Sequence, residues 1–335
     1  MSAKPLDVVA LGNAIVDVIT HARDEAVAAL ELTKGAMTLI DAARAEFLYE
    51  SMGPAIEISG GSAANTVVGI TQLGGSAGYI GKIRNDELGG IFNHDITAAG
   101  VEFLTLPATE GPPTARCLIF VTPDAQRTME TYLGASVELG PADIEDVFIE
   151  RAKIVYLEGY LWDAPPAKEA FERASEIAHK MGKKVALTLS DPYCVERHRE
   201  SFQVFVEKHV DILFANEQEI LSLYQSPDFD AAMQKVRSLC EVTALTRSEK
   251  GSVVVTGKEV HVIDAEPVPR VVDTTGAGDL YAAGFLFGFT RGHDLATCGR
   301  IGSVCASEII SHFGARPQVA LDRLIAERLG EKVLG

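Results

Sequence analysis

Ile154-Val155-Tyr156-Leu157, Val185-Ala186-Leu187-Thr188-Leu189, Ile212-Leu213-Phe214-Ala215 and Val242-Thr243-Ala244-Leu245-Thr246 follow one another between residues 154 and 246. Each run is short, continuous and rich in Val, Ile and Leu, which suits parallel strands covered by helices on both faces. After the first run, Phe171, Ala174, Ile177, Ala178 and Met181 share one face of a helix that begins near Pro165-Pro166 and stops at Gly182. Repeated strand–helix–strand units predict an α/β fold, a three-layer α/β/α sandwich with a doubly wound, mostly parallel sheet. Asp7–Leu11 and Ala77–Gly81 add further strands on the N-terminal side. On the C-terminal side, Ser252–Thr256 and Val260–Ile263 flank Gly257-Lys258 and read as a hairpin.

Two stretches break this rhythm. Residues 15–39 follow the first strand without a clear crossover helix, and residues 114–133 have strand character on both sides of the polar turn Pro123-Asp124-Ala125-Gln126. We expect them to pair as a small β-sheet over the mouth of the sandwich, a lid of about residues 15–40 and 104–136 that excludes water on closure. Edge decoration with no role is the alternative. Internal repeats and low-complexity linkers are lacking, so residues 1–335 are read as a single domain.

Composition narrows the functional classes. A formal charge of −17 disfavours nucleic acid as a partner, because phosphate binding needs a basic face. No apolar run reaches the ~18–20 residues that span a bilayer, and no signal peptide is evident, so no membrane role and a cytoplasmic location are expected. Five cysteines, Cys117, Cys194, Cys240, Cys298 and Cys305, are scattered without metal-ligand spacing and read as buried thiols.

The strongest chemical signal is Asp273-Thr274-Thr275-Gly276-Ala277-Gly278-Asp279, running into the apolar stretch Leu280–Phe289. A glycine turn opening a buried helix presents unpaired N–H groups and a positive dipole end, an anion hole for a transferring phosphoryl group. Asp279 at the helix start is placed to accept a proton from an attacking hydroxyl; the alternative is a helix-capping Asp. The Walker pattern fails because no Lys follows Gly278, and the dinucleotide fingerprint fails because its third Gly is missing.

This segment resembles the second signature of the ribokinase/PfkB carbohydrate and nucleoside kinase family. Gly60-Gly61-Ser62-Ala63-Ala64-Asn65 resembles the family's double-glycine signature. Asn216-Glu217-Gln218-Glu219 resembles its Asn-x-x-Glu metal motif, and Gly12-Asn13-Ala14-Ile15-Val16-Asp17 its Gly-x-x-x-x-Asp element. The four come in the family's order. The resemblance implies a ribokinase-like fold and ATP-dependent phosphorylation of an alcohol group.

It also implies roles. Gly276, Ala277 and Gly278 form the anion hole, with Asp279 as base. Asn13, Asp17, Gly60, Gly61 and Asn65 hold substrate hydroxyls, since carboxylates and amides both suit them. Asn216 and Glu219 organise Mg²⁺, which takes few protein ligands. Arg127 resembles the lid arginine of adenosine kinases, with a surface charge as the alternative. Thr246, Arg247, Gly251 and Thr275, together with Asn216, Gly276 and Gly278, line the ATP site, and Ala306 and Ser307 border its adenine. Some members bind a monovalent cation such as K⁺, with which Asp273 and Thr275 are compatible.

The acceptor stays open between readings. The segments Leu11–Asp17, Leu187–Pro192 and Val210–Glu217 resemble adenosine kinases. Met37, Leu39, Met129, Leu133, Tyr160 and Leu161 fall where that resemblance places the base-contacting residues, with lid and core packing as the alternative. A Leu at 161 departs from animal-type adenosine kinases, which often carry Phe there. A sugar kinase for ribose or another furanose would use the same catalytic residues, and a non-catalytic nucleoside- or sugar-binding protein is the third reading. ATP and a small molecule are the expected partners, with the chain a monomer or homodimer.

Overall fold

The computed structural model of the chain describes residues 4–103, 105–124 and 126–334. Leu104 and Ala125, which fall in the expected lid segments, lie outside the described residues. In chain order the strands are Leu6–Leu11 (β1), Ile15–His21 (β2), Met37–Leu39 (β3), Ile56–Gly60 (β4), Ala77–Ile80 (β5), Glu102–Phe103 (β6), Ala115–Val121 (β7), Arg127–Tyr132 (β8), Ala152–Glu158 (β9), Lys184–Thr188 (β10), Ile212–Asn216 (β11), Val242–Thr246 (β12), Ser252–Val255 (β13) and Val260–Ile263 (β14).

Among the described residues the main sheet runs β14-β13-β12-β11-β10-β9-β1-β5-β6. It is parallel from β12 to β6, and β13 and β14 add antiparallel as the hairpin read from the sequence. The two-residue period of a strand divides its side chains between two cores. Val8, Ala10, Ile154, Tyr156 and Phe214 enter one, with helices Ser62–Gln72, Ala277–Thr290 and Leu295–Ile309. Val9, Leu11, Val155, Leu157 and Leu213 enter the other, with helices Pro165–Lys180 and Pro192–His209. Covering both faces is why these strands carry no polar alternation, and it makes the three layers of a ribokinase-like α/β fold.

Helix Ala277–Thr290 is buried along most of its length. A Cβ at Gly284 would lie 2.8 Å from the backbone of Ile301 and Gly302, so this glycine lets helix Leu295–Ile309 approach closely.

A second sheet runs β3-β8-β7-β2-β4. Residues 15–39 and 114–133 supply four of its strands. β4 was not expected: Ile56-Glu57-Ile58-Ser59-Gly60 lies far along the chain from β2, yet pairs with it antiparallel. The register places Asp17 opposite Cys117, Cys117 opposite Thr131, and Thr131 opposite Leu39. Met37, Met129 and Arg127 follow on the same face by the period of two. Asp17, Arg127, Met129, Met37 and Leu39 therefore share one face of this sheet. The five cysteines are free and buried, and no described helix is long and apolar enough to cross a membrane.

Candidate active site

Gly276 opens helix Ala277–Thr290 in the left-handed region, at φ +80°, and a Cβ there would meet the Ala315 Cβ at 2.9 Å. A Cβ at Gly278 would meet nothing within 4 Å, so the turn faces open space. Among the described residues, the N–H groups of Gly278 and Asp279 have no acceptor, as expected of a helix's first turn. Those amides are free for an anion.

Asp279 lies half-buried beside them. Its Oδ1 accepts from Ser62 Oγ at 2.6 Å and its Oδ2 from Asn65 Nδ2 at 2.9 Å. Burial pushes its carboxyl upward, and these two hydrogen bonds and the nearby Arg316 guanidinium oppose that. The double-glycine turn thus delivers two donors to the expected base. Among the described residues Asn65 Oδ1 is buried and unpartnered, an acceptor left over for a ligand's donor.

Asp17 projects from β2 over Gly60, where a Cβ would fall 2.5 Å from its carboxylate carbon. Gly61 is at φ +97°, and a Cβ there would lie 2.3 Å from the Asn13 carbonyl oxygen. Both glycines are required by close approach. Asn13 donates from Nδ2 to Glu158 Oε1 at 2.7 Å and accepts at Oδ1 from Ser136 Oγ at 2.9 Å. Glu158, 1% exposed at the end of β9, also accepts from the Ala63 N–H at 2.8 Å.

Arg127 of β8 reaches across to the anion turn and pairs with Asp273 Oδ2 at 2.5 Å. Asp273 also accepts from Thr275 N–H at 2.9 Å, Thr275 Oγ1 at 2.7 Å and Gly314 N–H at 3.1 Å. These contacts hold its carboxyl below the usual range despite burial. Four donors fill the four lone-pair sites of a carboxylate.

Leu39 and Leu133 line an apolar cleft of about 350 Å³, with Ile40, Pro112, Thr131, Tyr132, Gly134 and Val137. The short helical turn Gly134–Glu138 that walls it carries Ser136, the partner of Asn13. The cleft is therefore walled by the turn that contacts Asn13. Met37 and Met129 lie on the same sheet face as Leu39. Tyr160 is exposed, and its N–H donates to Ser190 Oγ at 3.3 Å. Leu161 departs from expectation: it is 1% exposed and packed in the core beneath β9 and β10, because Gly159–Asp163 forms a short helical turn that directs it inward.

On the ATP side, Asn216 caps helix Glu217–Tyr224 in a reciprocal capping box. Asn216 Oδ1 accepts from the Glu219 N–H at 2.8 Å, and Glu219 accepts from Asn216 N–H and Nδ2 at 2.8 and 2.7 Å. Glu219 is buried yet keeps lone pairs beyond those bonds, so the pair fits Mg²⁺ held through water. Among the described residues no group of three His, Cys, Asp or Glu forms a fuller metal cage. Thr246 ends β12 beside this motif. Arg247 pairs with Glu217 at 3.0 Å and stacks over Phe229 at 3.9 Å. Gly251 is at φ +78°, where a Cβ would strike the Ile263 carbonyl at 2.0 Å, so hairpin geometry accounts for it. Ala306 and Ser307 are half-buried near the end of helix Leu295–Ile309.

Residues 57–320 match the family described as pfkB family carbohydrate kinase. The chain belongs to this family. It is 52% identical to the adenosine kinase from Sinorhizobium meliloti, whose crystal structure superposes with a TM-score of 0.89 over 97% of this chain and 99% of that one. It is 49% identical to a probable sugar kinase from Rhizobium etli, with the same TM-score and coverage. Adenosine kinase 2 of Arabidopsis thaliana is 25% identical over 332 residues, 91% of this chain and 93% of that protein. As a pfkB-family member the chain is an ATP-dependent kinase.

The pfkB site contains residues that no motif announced. Glu158 follows the apolar run Ile154–Leu157 at the end of β9, and a charge in that place was the available signal, since Glu is rarely buried unless paired. Ser62 lay inside the double-glycine signature. Arg316 gave no signal.

Burial pushes Asp17 up to about 6, and Glu158 and Glu219 each up to about 7. A carboxyl whose proton is held more tightly in the folded chain stabilises the fold below its unfolded value. That advantage is lost as pH rises through its folded one. Thermal unfolding at fixed ionic strength should therefore show a midpoint that falls from about pH 5 to about pH 8, with Glu158→Gln flattening the fall. A midpoint rising across that window would contradict the assignment.

Proposed function

We propose that this kinase phosphorylates adenosine, transferring the γ-phosphoryl group of ATP to the ribose 5′-hydroxyl. The observation that carries this reading is the apolar cleft at Leu39 and Leu133, a slot for a flat base walled by the turn whose Ser136 contacts Asn13. The 52% identity to an adenosine kinase agrees with it.

In this reading Asp17, Asn65 and the turn at Gly60-Gly61 hold the ribose hydroxyls, and the base enters the cleft at Leu39 and Leu133. The 5′-hydroxyl lies against Asp279, which takes its proton as the oxygen attacks the γ-phosphorus. The bond from that phosphorus to the bridging oxygen breaks, and ADP leaves with the electron pair. The free amides of Gly278 and Asp279 stabilise charge on the moving group. Mg²⁺, held through water by Asn216 and Glu219, would screen the phosphate oxygens. The second sheet acts as a lid, and the Arg127–Asp273 pair latches it to the anion turn. The buried free thiols suit a reducing cytoplasm.

The 49% relative described as a probable sugar kinase favours a second reading, a furanose kinase. A free sugar would leave the apolar cleft empty. Turnover of adenosine, other nucleosides, ribose, fructose and a sugar phosphate, measured by ADP release, decides between them. We expect adenosine to give the highest kcat/KM; a higher value for any free sugar or sugar phosphate rejects the adenosine assignment.

A further inference from the structure

Arg316 belongs to none of the motifs, yet it lies in a segment that touches the site throughout. The Gly314 N–H donates to Asp273, and Ala315 packs on the left-handed Gly276. Arg316 reaches to the opposite wall. Its Nε and Nη2 donate to the Ser59 carbonyl at 3.2 and 2.7 Å, Nη2 donates to Ser59 Oγ at 2.9 Å, and Nη1 donates to the Ala64 carbonyl at 3.1 Å.

Those acceptors stand on either side of Gly60, Gly61 and Ser62. Gly60 is the floor under Asp17, and Ser62 holds Asp279. One planar guanidinium thus grips both ends of the turn that seats both carboxylates. All its acceptors are neutral oxygens, so no direct ion pair cancels its charge. Ser59 passes the contact on, donating its N–H and Oγ to Asp95 at 2.8 and 2.6 Å. A buried cation is costly unless the surrounding field compensates it. An apolar side chain of similar length would be cheaper to bury here.

We propose that Arg316 is a positioning residue of the kinase site: its fork fixes the double-glycine turn against the anion turn, and its charge faces the two carboxylates seated there. The inference rests on the kinase reading of Asp279. The groups facing Asp279 are Asp17, Glu158, Glu219, Tyr156 and Tyr160, each of which opposes its ionisation when negative, and Arg316, which favours it. Asp17 faces Asp279, Arg127 and Arg316. Removing Arg316 leaves Asp279 without the one cation that faces it among the described residues, so its carboxylate form requires a higher pH.

The experiment compares wild type, Arg316→Met and Arg316→Lys by kcat, KM for adenosine, KM for ATP and the pH profile of kcat/KM. Arg316→Met should lower kcat/KM for adenosine about tenfold and move the acid limb of the profile upward by about one pH unit, the shift expected on losing a neighbouring opposite charge. Arg316→Lys keeps the charge and loses the fork, so its acid limb should stay at the wild-type position while KM for adenosine rises. An Arg316→Met enzyme with the wild-type acid limb and KM overturns the inference alone. If that variant does not fold, a wild-type KM for adenosine in Arg316→Lys overturns it. A wild type that phosphorylates no acceptor in the panel overturns the kinase reading, and this inference with it.

Discussion

Asp279→Asn is expected to lower turnover by about 10²-fold or more, in the range that loss of a general base produces. The substitution preserves shape and can keep the local hydrogen bonds. Asn65 Nδ2 still has an amide oxygen to donate to, and the Ser62 hydroxyl can rotate to accept from the new NH₂ group where it now donates to Oδ1. The charge lost was one of several carboxylates crowded together with Asp17, Glu158 and Glu219, so folding should not suffer. The loss should appear in kcat with adenosine and ATP, while the unfolding midpoint stays near that of wild type. An Asn variant with undiminished kcat would remove Asp279 from the chemistry.

Asp17→Ala should raise KM for adenosine about 10²-fold or more, because two hydroxyl hydrogen bonds to a charged acceptor contribute about 1.5–3 kcal/mol each. KM for ATP should change far less, since Asp17 stands on the lid sheet and not at the anion turn. The carboxyl is pushed up to about 6 by burial and by the Asp279 charge, against the pull of Arg127 and Arg316. The ionised form is the better acceptor, so wild-type KM for adenosine should rise as pH falls through about 6. That rise should vanish in Asp17→Ala. Steady-state kinetics across pH test both parts, and a variant with wild-type KM for adenosine would show that Asp17 does not hold substrate.

Some of this site could be read from sequence because its chemistry is local. The glycine turn, the adjoining Asp279 and the Asn216–Glu219 box each lie within a few residues, and their spacing dictates a helix start whatever surrounds them. The residues expected to hold hydroxyls, Asn13, Asp17, Gly61 and Asn65, could be named only through resemblance. What places them together is strand register and the double-glycine turn.

Local period and composition determined the α/β layers, the hairpin after β12 and the anion-binding turn, because continuous apolar runs, glycine turns and helix starts are properties of neighbouring residues. Only the tertiary structure decided that β4 joins the second sheet, that Leu161 turns into the core, that Glu158 anchors Asn13, and that Arg316 spans the site. Each of those depends on partners far away along the chain: Ser59 and Arg316 are 257 positions apart, and Asn65 and Asp279 are 214. Their pairing is selected by the shared cost of burying polar groups unsatisfied, which is paid or avoided only once the layers have closed.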